Sequence, residues 1–206
     1  MKTDSVKLLK RFSAYLLDIL FIFVLLQALF SIKFLNPSYD KYIKSSEDYA
    51  KLVENYQKDE ISEKEFLKSG SNYYYEISKN SISYNIITIS VLVLYFGVFQ
   101  RFNNGQTLGK KIQKIKVVDL NNNTPNIWKF ILRLLPMYFV FIGCISSITI
   151  NLILLFIVKK SSFMMVSTVI NYILIFVNVL SLSFMNNRED KRGIHELISK
   201  TKVVNE

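Results

Sequence analysis

Phe12-Ser-Ala14-Tyr-Leu-Leu-Asp18-Ile-Leu-Phe-Ile-Phe-Val-Leu-Leu-Gln-Ala-Leu-Phe-Ser-Ile32 is a run of 21 residues that carries a single charge, Asp18. A bilayer core about 30 Å thick needs about 20 mostly apolar residues at 1.5 Å rise each, so this stretch is long enough to cross it. Three further blocks reach that length without any charge, at about 82–100, 134–158 and 161–185. Only Lys159-Lys160 separates the last two, which predicts a tight turn between antiparallel helices. Of the 206 residues 50% are hydrophobic, and their concentration in blocks excludes an ordinary soluble domain. The expected fold is an all-α integral membrane protein: one domain over 1–206, four transmembrane helices, a short cytoplasmic β element and an extracytoplasmic helical insertion at 33–80.

A secretory signal peptide is the competing reading of the first block, because Lys2, Lys7, Lys10 and Arg11 precede it as an n-region would. The length of the block, its aspartate and the lack of an A-x-A site argue that this helix stays in the chain.

The net charge of +10 invites a nucleic-acid reading, but charge position points elsewhere. Between Arg101 and Arg133 there are seven basic residues (Arg101, Lys110, Lys111, Lys114, Lys116, Lys129, Arg133) against Asp119 alone. Residues 33–80 hold eight lysines against nine carboxylates, a balanced and solvated composition. Basic residues near membrane ends favour the cytoplasmic side, so both termini and the 101–133 loop are expected inside a multi-pass protein of the cell membrane. Partners are then the lipid bilayer and the anionic headgroups of its cytoplasmic face, attracted at roughly 1 kcal/mol per basic residue near the surface, and no nucleic acid.

Within the insertion, Tyr42, Tyr49, Leu52, Val53 and Tyr56 recur at helical spacing and predict an amphipathic helix. Ser62 and Glu65 have capping-box spacing for a second helix, which Gly70 is expected to end before Tyr73, Tyr74 and Tyr75 lead to the second span. Lys114-Ile-Lys-Val117-Val118-Asp119 alternates and runs into Asn121-Asn-Asn123, a strand and a turn. Thr201-Lys-Val-Val-Asn205 nearly repeats Ile115-Lys-Val-Val-Asp119, which predicts that the two segments pair. Thr124-Pro125 is expected to cap a juxtamembrane helix containing Trp128.

Asp18 inside a span costs about 2.5–3.5 kcal/mol on insertion scales, and such carboxylates face the bundle interior, pair with a cation and often mark ion or proton pathways. Arg11 lies seven residues away, about 10 Å along the helix, too far for a direct ion pair. Arg133, at the start of the third block, is the expected partner. A structural ion pair or a protonated aspartate that fixes helix packing is an equally weighted reading. Gly105-Gln-Thr-Leu-Gly109-Lys110-Lys111 fails as a phosphate-binding loop, since three residues separate its glycines and a lysine stands where a Mg²⁺-binding hydroxyl belongs. His195 next to Glu196 makes no metal site, and no nucleophile with a base is visible, so neither a cofactor, a metal nor an enzymatic activity is expected. Asn85, Asn151, Asn171 and Asn178 are expected to hydrogen-bond between helices. Cys144, the single cysteine, is expected to be a buried small hydrophobe.

Arg11-Phe-Ser-Ala14-Tyr-Leu-Leu-Asp18, Gly105-Gln-Thr107-Leu-Gly109-Lys110, Val117-Val118-Asp119, Arg133, Arg192-Gly-Ile-His195-Glu196 and Thr201-Lys-Val-Val resemble, in order and in placement around the membrane blocks, the RDD family of bacterial membrane proteins. The family is named for one arginine and two aspartates. Arg11 and Asp18 match the first two, while the usual His-Asp of the tail is His195-Glu196 here, which leaves the second aspartate open. The resemblance implies membrane location and a suggested role in transport of a small ion or solute, with sodium/proton exchange proposed for some members; Asp18 would handle the ion or proton with Arg11 and Arg133 as charge partners. The rival is a non-transporting membrane scaffold or assembly partner. Four spans without a visible inverted repeat are few for an alternating-access carrier, so transport would favour a homo-oligomer.

Overall fold

The computed structural model describes residues 6–139 and 143–206, and its elements follow from the apolar blocks and their caps. In chain order they are α1 (Leu8–Phe30), α2 (Tyr39–Gln57), α3 (Glu63–Asn80), α4 (Ile82–Leu92), a π-helical segment (Val93–Phe99), α5 (Gln100–Phe102), α6 (Leu108–Ile112), β1 (Ile115–Asp119), α7 (Ile127–Leu134), β2 (Tyr138–Phe139), β3 (Gly143–Cys144), α8 (Ile145–Ile157), α9 (Phe163–Asn187), α10 (Ile194–Ile198) and β4 (Thr201–Asn205). Among the described residues three helical stretches are long and apolar enough to cross a membrane: Leu8–Phe30, Ile82–Phe102 and Lys160–Asn187.

The third block departs from the expected single helix. Its helical part, α8, has 13 residues and so is about 20 Å long, short of a full crossing. Pro136 follows α7 closely, lacks an N–H and disfavours helical backbone at the residue before it. Beyond it β2 pairs antiparallel with β3, Tyr138 opposite Cys144. The environment of the Cys144 side chain lies outside the described residues.

The chain divides into two compact units. One comprises Met1–Gln27, Thr88–Ser146 and Leu174–Glu206. Here β1 and β4 pair antiparallel with Ile115 opposite Asn205 and Asp119 opposite Thr201, the ladder expected from their near-repeat. Val6, Ala14, Ile115, Val117, Phe130 and Val203 form its buried cluster. The cap of α7 is a correction: Asn126, not Thr124, accepts the Lys129 N–H at 2.9 Å, and the helix starts at Ile127. The Asn126 carboxamide sits in the extended conformation a cap requires, which leaves Thr124-Pro125 outside the helix.

The other unit comprises Ala28–Ile87 and Ser147–Ile173. Ser62 caps α3 by accepting the Glu65 N–H at 3.3 Å. Gly70 does not end this helix. It is buried mid-helix beside Met164, Tyr49 and Leu52. Consequently Tyr74 and Tyr75 belong to α3 and pack on the buried Phe163 ring. Asn151 and Asn171 accept from Ser167 and Ser147 and tie α8 to α9, as expected of interhelical bonds. Asn85 and, in the first unit, Asn178 bond within their own helical stretches instead, to Ser81 and the Leu174 carbonyl.

Candidate functional site

Asp18 is 1% exposed, on the face of α1 that also buries Ala14, Ile22 and Leu26. Its Oδ1 accepts from the Tyr95 hydroxyl at 2.7 Å and from the Gly109 N–H at 2.8 Å, while Oδ2 accepts from the Thr107 hydroxyl at 2.6 Å. Lys110 Nζ stands 3.7 Å from Oδ2. A buried carboxylate loses several kcal/mol of solvation, and three bonds to an ionised acceptor, at about 1.5–3 kcal/mol each, offset it. The sequence builds this receptor locally. Thr107 caps α6 by accepting the Lys110 N–H at 3.3 Å while its hydroxyl proton goes to Asp18. Tyr95 lies in the π-helical segment, a helix irregularity often found at functional sites, and accepts the Leu108 N–H at 3.1 Å.

Two glycines make the approach steric. A Cβ on Gly109 would lie 2.1 Å from the Ala14 carbonyl oxygen, so α6 sits directly on the backbone of α1. Gly105 has φ +82°, and a Cβ there would fall 2.2 Å from the Val117 carbonyl oxygen. Its own carbonyl accepts from Val117 N–H and Gln100 Nε2, both at 2.9 Å, which anchors the loop to β1 and to α5. The glycine-containing loop thus does bind an anion, and that anion is the chain's own Asp18.

The arginines expected beside Asp18 are elsewhere. Arg11 Nη2 and Arg133 Nη1 both pair with Glu196, which is fully buried, the latter at 3.3 Å. Arg11 also donates to the Lys191 carbonyl at 2.5 Å, and Arg133 to the Thr201 hydroxyl at 2.9 Å. Arg11 and Asp18 stand seven positions apart on α1, which separates the two networks, and Glu196, brought in by α10, is the nearer anion for both guanidinium groups. The Gly193 N–H donates to its second oxygen at 3.0 Å. His195 lies beside it, 3.9 Å away, and among the described residues no cluster of metal ligands forms.

Charges in these networks shift one another. Burial pulls the Lys110 ammonium down to about 8, against the opposing pull of Asp18 and with the help of Arg133 and Arg11. Burial pushes Glu196 up, but Arg133, Arg11 and His195 outweigh it and hold the carboxyl at about 2. Burial, then Arg133, lower His195 to about 3, so its ring is neutral near pH 7.

The remaining motif residues shape the frame. Asp119 Oδ1 accepts the N–H groups of Asn121 and Asn123, each at 2.9 Å, and closes the turn after β1. Arg192 Nε bonds Asp190 at 2.7 Å. Tyr95, Gln100 and Gln106, whose Nε2 reaches the Ile115 carbonyl at 3.1 Å, were not singled out by sequence reasoning. Tyr95 is one of several hydroxyl-bearing residues of its span, with Ser83, Tyr84, Thr88 and Ser90, so its sequence position does not set it apart.

A mostly helical chain with three apolar helices of spanning length and a buried ion network defines an integral membrane protein. It belongs to the RDD family, whose family model matches residues 6–200, nearly the whole chain. No curated protein and no solved structure matches it.

Proposed function

We propose that the protein moves a proton or small cation across the membrane, with Asp18 and Lys110 as the exchanging pair. The observation that carries this is the buried carboxylate of a membrane helix with an ammonium 3.7 Å away that titrates near pH 8. A carboxylate in such a helix is costly, and the known uses of one are ion and proton paths. Release of a proton from Lys110 would loosen its hold on Asp18 and free the carboxylate for a cation. Arg11 and Arg133 act from the neighbouring Glu196 network, keeping the surroundings positive. The test is cation/proton exchange in everted vesicles at matched expression. Loss of flux in Asp18→Asn and in Lys110→Gln is expected; unchanged flux in both would end the proposal.

The same contacts support a four-crossing topology with both termini in the cytoplasm. Arg11 and Arg133 both pair with Glu196 of the tail, and β1 of the 105–119 loop pairs with β4, which supports placing these segments on one side of the bilayer. With α9 crossing once, this topology requires a further crossing between Arg133 and Lys160. The basic loop assigns that side to the cytoplasm. The insertion at 33–80 is then an extracytoplasmic helical hairpin, and a homo-oligomer would supply the further helices that a carrier needs.

A membrane scaffold or assembly partner is the second reading. It is favoured by the saturation of Asp18, whose two oxygens already accept three hydrogen bonds from within the chain. Absence of exchange in the native chain would favour this reading.

A further inference from the structure

Within the first unit a cavity of about 780 Å³ is lined by side chains of α1, α7, α9 and the tail. Leu9, Phe12, Phe130, Leu134, Ile175 and Val179 give it apolar walls. Of these, Leu9, Phe12, Ile175 and Val179 are also exposed, so the wall continues onto outer faces of α1 and α9 that bilayer chains would cover.

Arg11, Lys110 and Arg133 line the same cavity, and among the described residues no aspartate or glutamate does. The three cations are grouped: the two arginines share Glu196, and Lys110 feels both of them. Their counter-charges, Asp18 and Glu196, are buried outside the lining. Among the described residues, these three cations against the two carboxylates leave a positive excess at the cavity. Arg133 donates from Nη1 to Glu196 and to Thr201, and its side chain also lines the cavity.

An apolar volume of this size suits a ligand with a hydrocarbon chain, and a cationic cluster beside it suits an acidic head. A bare anion would leave the walls unfilled, and a zwitterionic lipid would leave the excess charge unanswered. We propose that this cavity holds an anionic phospholipid of the bilayer, its acyl chain along α1 and α9 and its phosphate against Arg11, Lys110 and Arg133. The site is separate from the loose attraction of headgroups to the exposed lysines of the 101–133 loop.

The full chain, purified in mild detergent, would be examined by native mass spectrometry with dioleoyl phosphatidylglycerol or dioleoyl phosphatidylcholine added at equal amounts. Retention of the anionic lipid about tenfold above the zwitterionic one is expected from its interaction with clustered cations. Val179→Trp fills the apolar wall from a position 56% exposed in the native chain and should abolish that preference at unchanged Tm. Ile175→Trp on the same wall serves if the first variant is unstable. Equal retention of the two lipids overturns the proposal. So does a preference that survives both tryptophans, which would put the lipid on the outer lysines, or one that inorganic phosphate removes at equal concentration. A dimer that the tryptophans dissociate would make a second copy the occupant and overturn it as well.

Discussion

Replacement of Gly109 by alanine should strongly destabilise the contact between α6 and α1. The new Cβ would lie 2.1 Å from the Ala14 carbonyl oxygen and 2.9 Å from Asp18 Oδ1. Neither atom can swing away, because one is helix backbone and the other is held by Tyr95 and Thr107. α6 must therefore lift from α1 by about 1 Å or more, which stretches the 2.8 Å bond from the Gly109 N–H to Asp18. Overpacking of this kind costs about 1–3 kcal/mol, and loss of a bond to a charged group about 1.5–3 kcal/mol. The total is about 2.5–6 kcal/mol. At roughly 2–4 °C per kcal/mol for a chain of this size, Tm should fall by about 5–24 °C. Gly97→Ala is the control, since its Cβ would meet Ile131 Cγ1 at 3.5 Å, an ordinary contact, in a helical position that alanine favours. Thermal unfolding of the purified chain in detergent compares the two. Equal Tm values for the two variants would refute the close seating of α6 on α1 and the Asp18 receptor built upon it.

Acid should destabilise the fold in two stages. His195 is lowered to about 3, so its neutral form contributes stability that is complete above pH 6.5 and fades as pH falls towards 3. Glu196, held at about 2, contributes stability that is complete above pH 4.5 and is lost as pH falls through 2. His195→Asn should flatten the upper stage in a Tm-versus-pH series; an unchanged slope would contradict the burial of a neutral ring. Glu196→Gln strands Arg11 and Arg133 in a buried site and should lower stability by about 3–5 kcal/mol, measured by denaturant unfolding, with Glu196→Asp milder. Asn126→Ala should cost about 1 kcal/mol of stability and Thr124→Ala almost nothing, in the same assay, because only Asn126 caps α7. In a Cys144→Ser background, a membrane-impermeant maleimide applied to intact cells should label Lys58→Cys and leave Lys116→Cys unmodified; the reverse pattern would invert the proposed topology.

The apolar helices were legible because length and charge content are local. Leu8–Phe30 and Ile82–Phe102 follow from blocks that contain one charge and none, with Arg101 added only at the end of the second helix. The pairing of Ile115–Asp119 with Thr201–Asn205 was legible for a different reason, since two near-identical alternating segments present matched faces. Pro136 interrupted the third block although its composition matched the others, because apolar content does not encode helix continuity. Gly70 was misjudged in the opposite sense. It lies inside α3, which runs on from Glu63 to Asn80 and buries Gly70 and Ser71.

By itself the sequence determined that the chain enters a bilayer, which charges lie inside an apolar run, and that Asp18 must find partners, since the desolvation of a carboxylate is a property of the residue and its flanks. Only the tertiary structure decided who those partners are. Asp18 received Tyr95, Thr107, Gly109 and Lys110, and Arg11 went to Glu196, 185 residues away. Ion pairing and hydrogen bonding act over a few ångströms, so which groups meet depends on how α6 and α10 fold back onto α1 and α7, and charge spacing along the chain does not contain that distance.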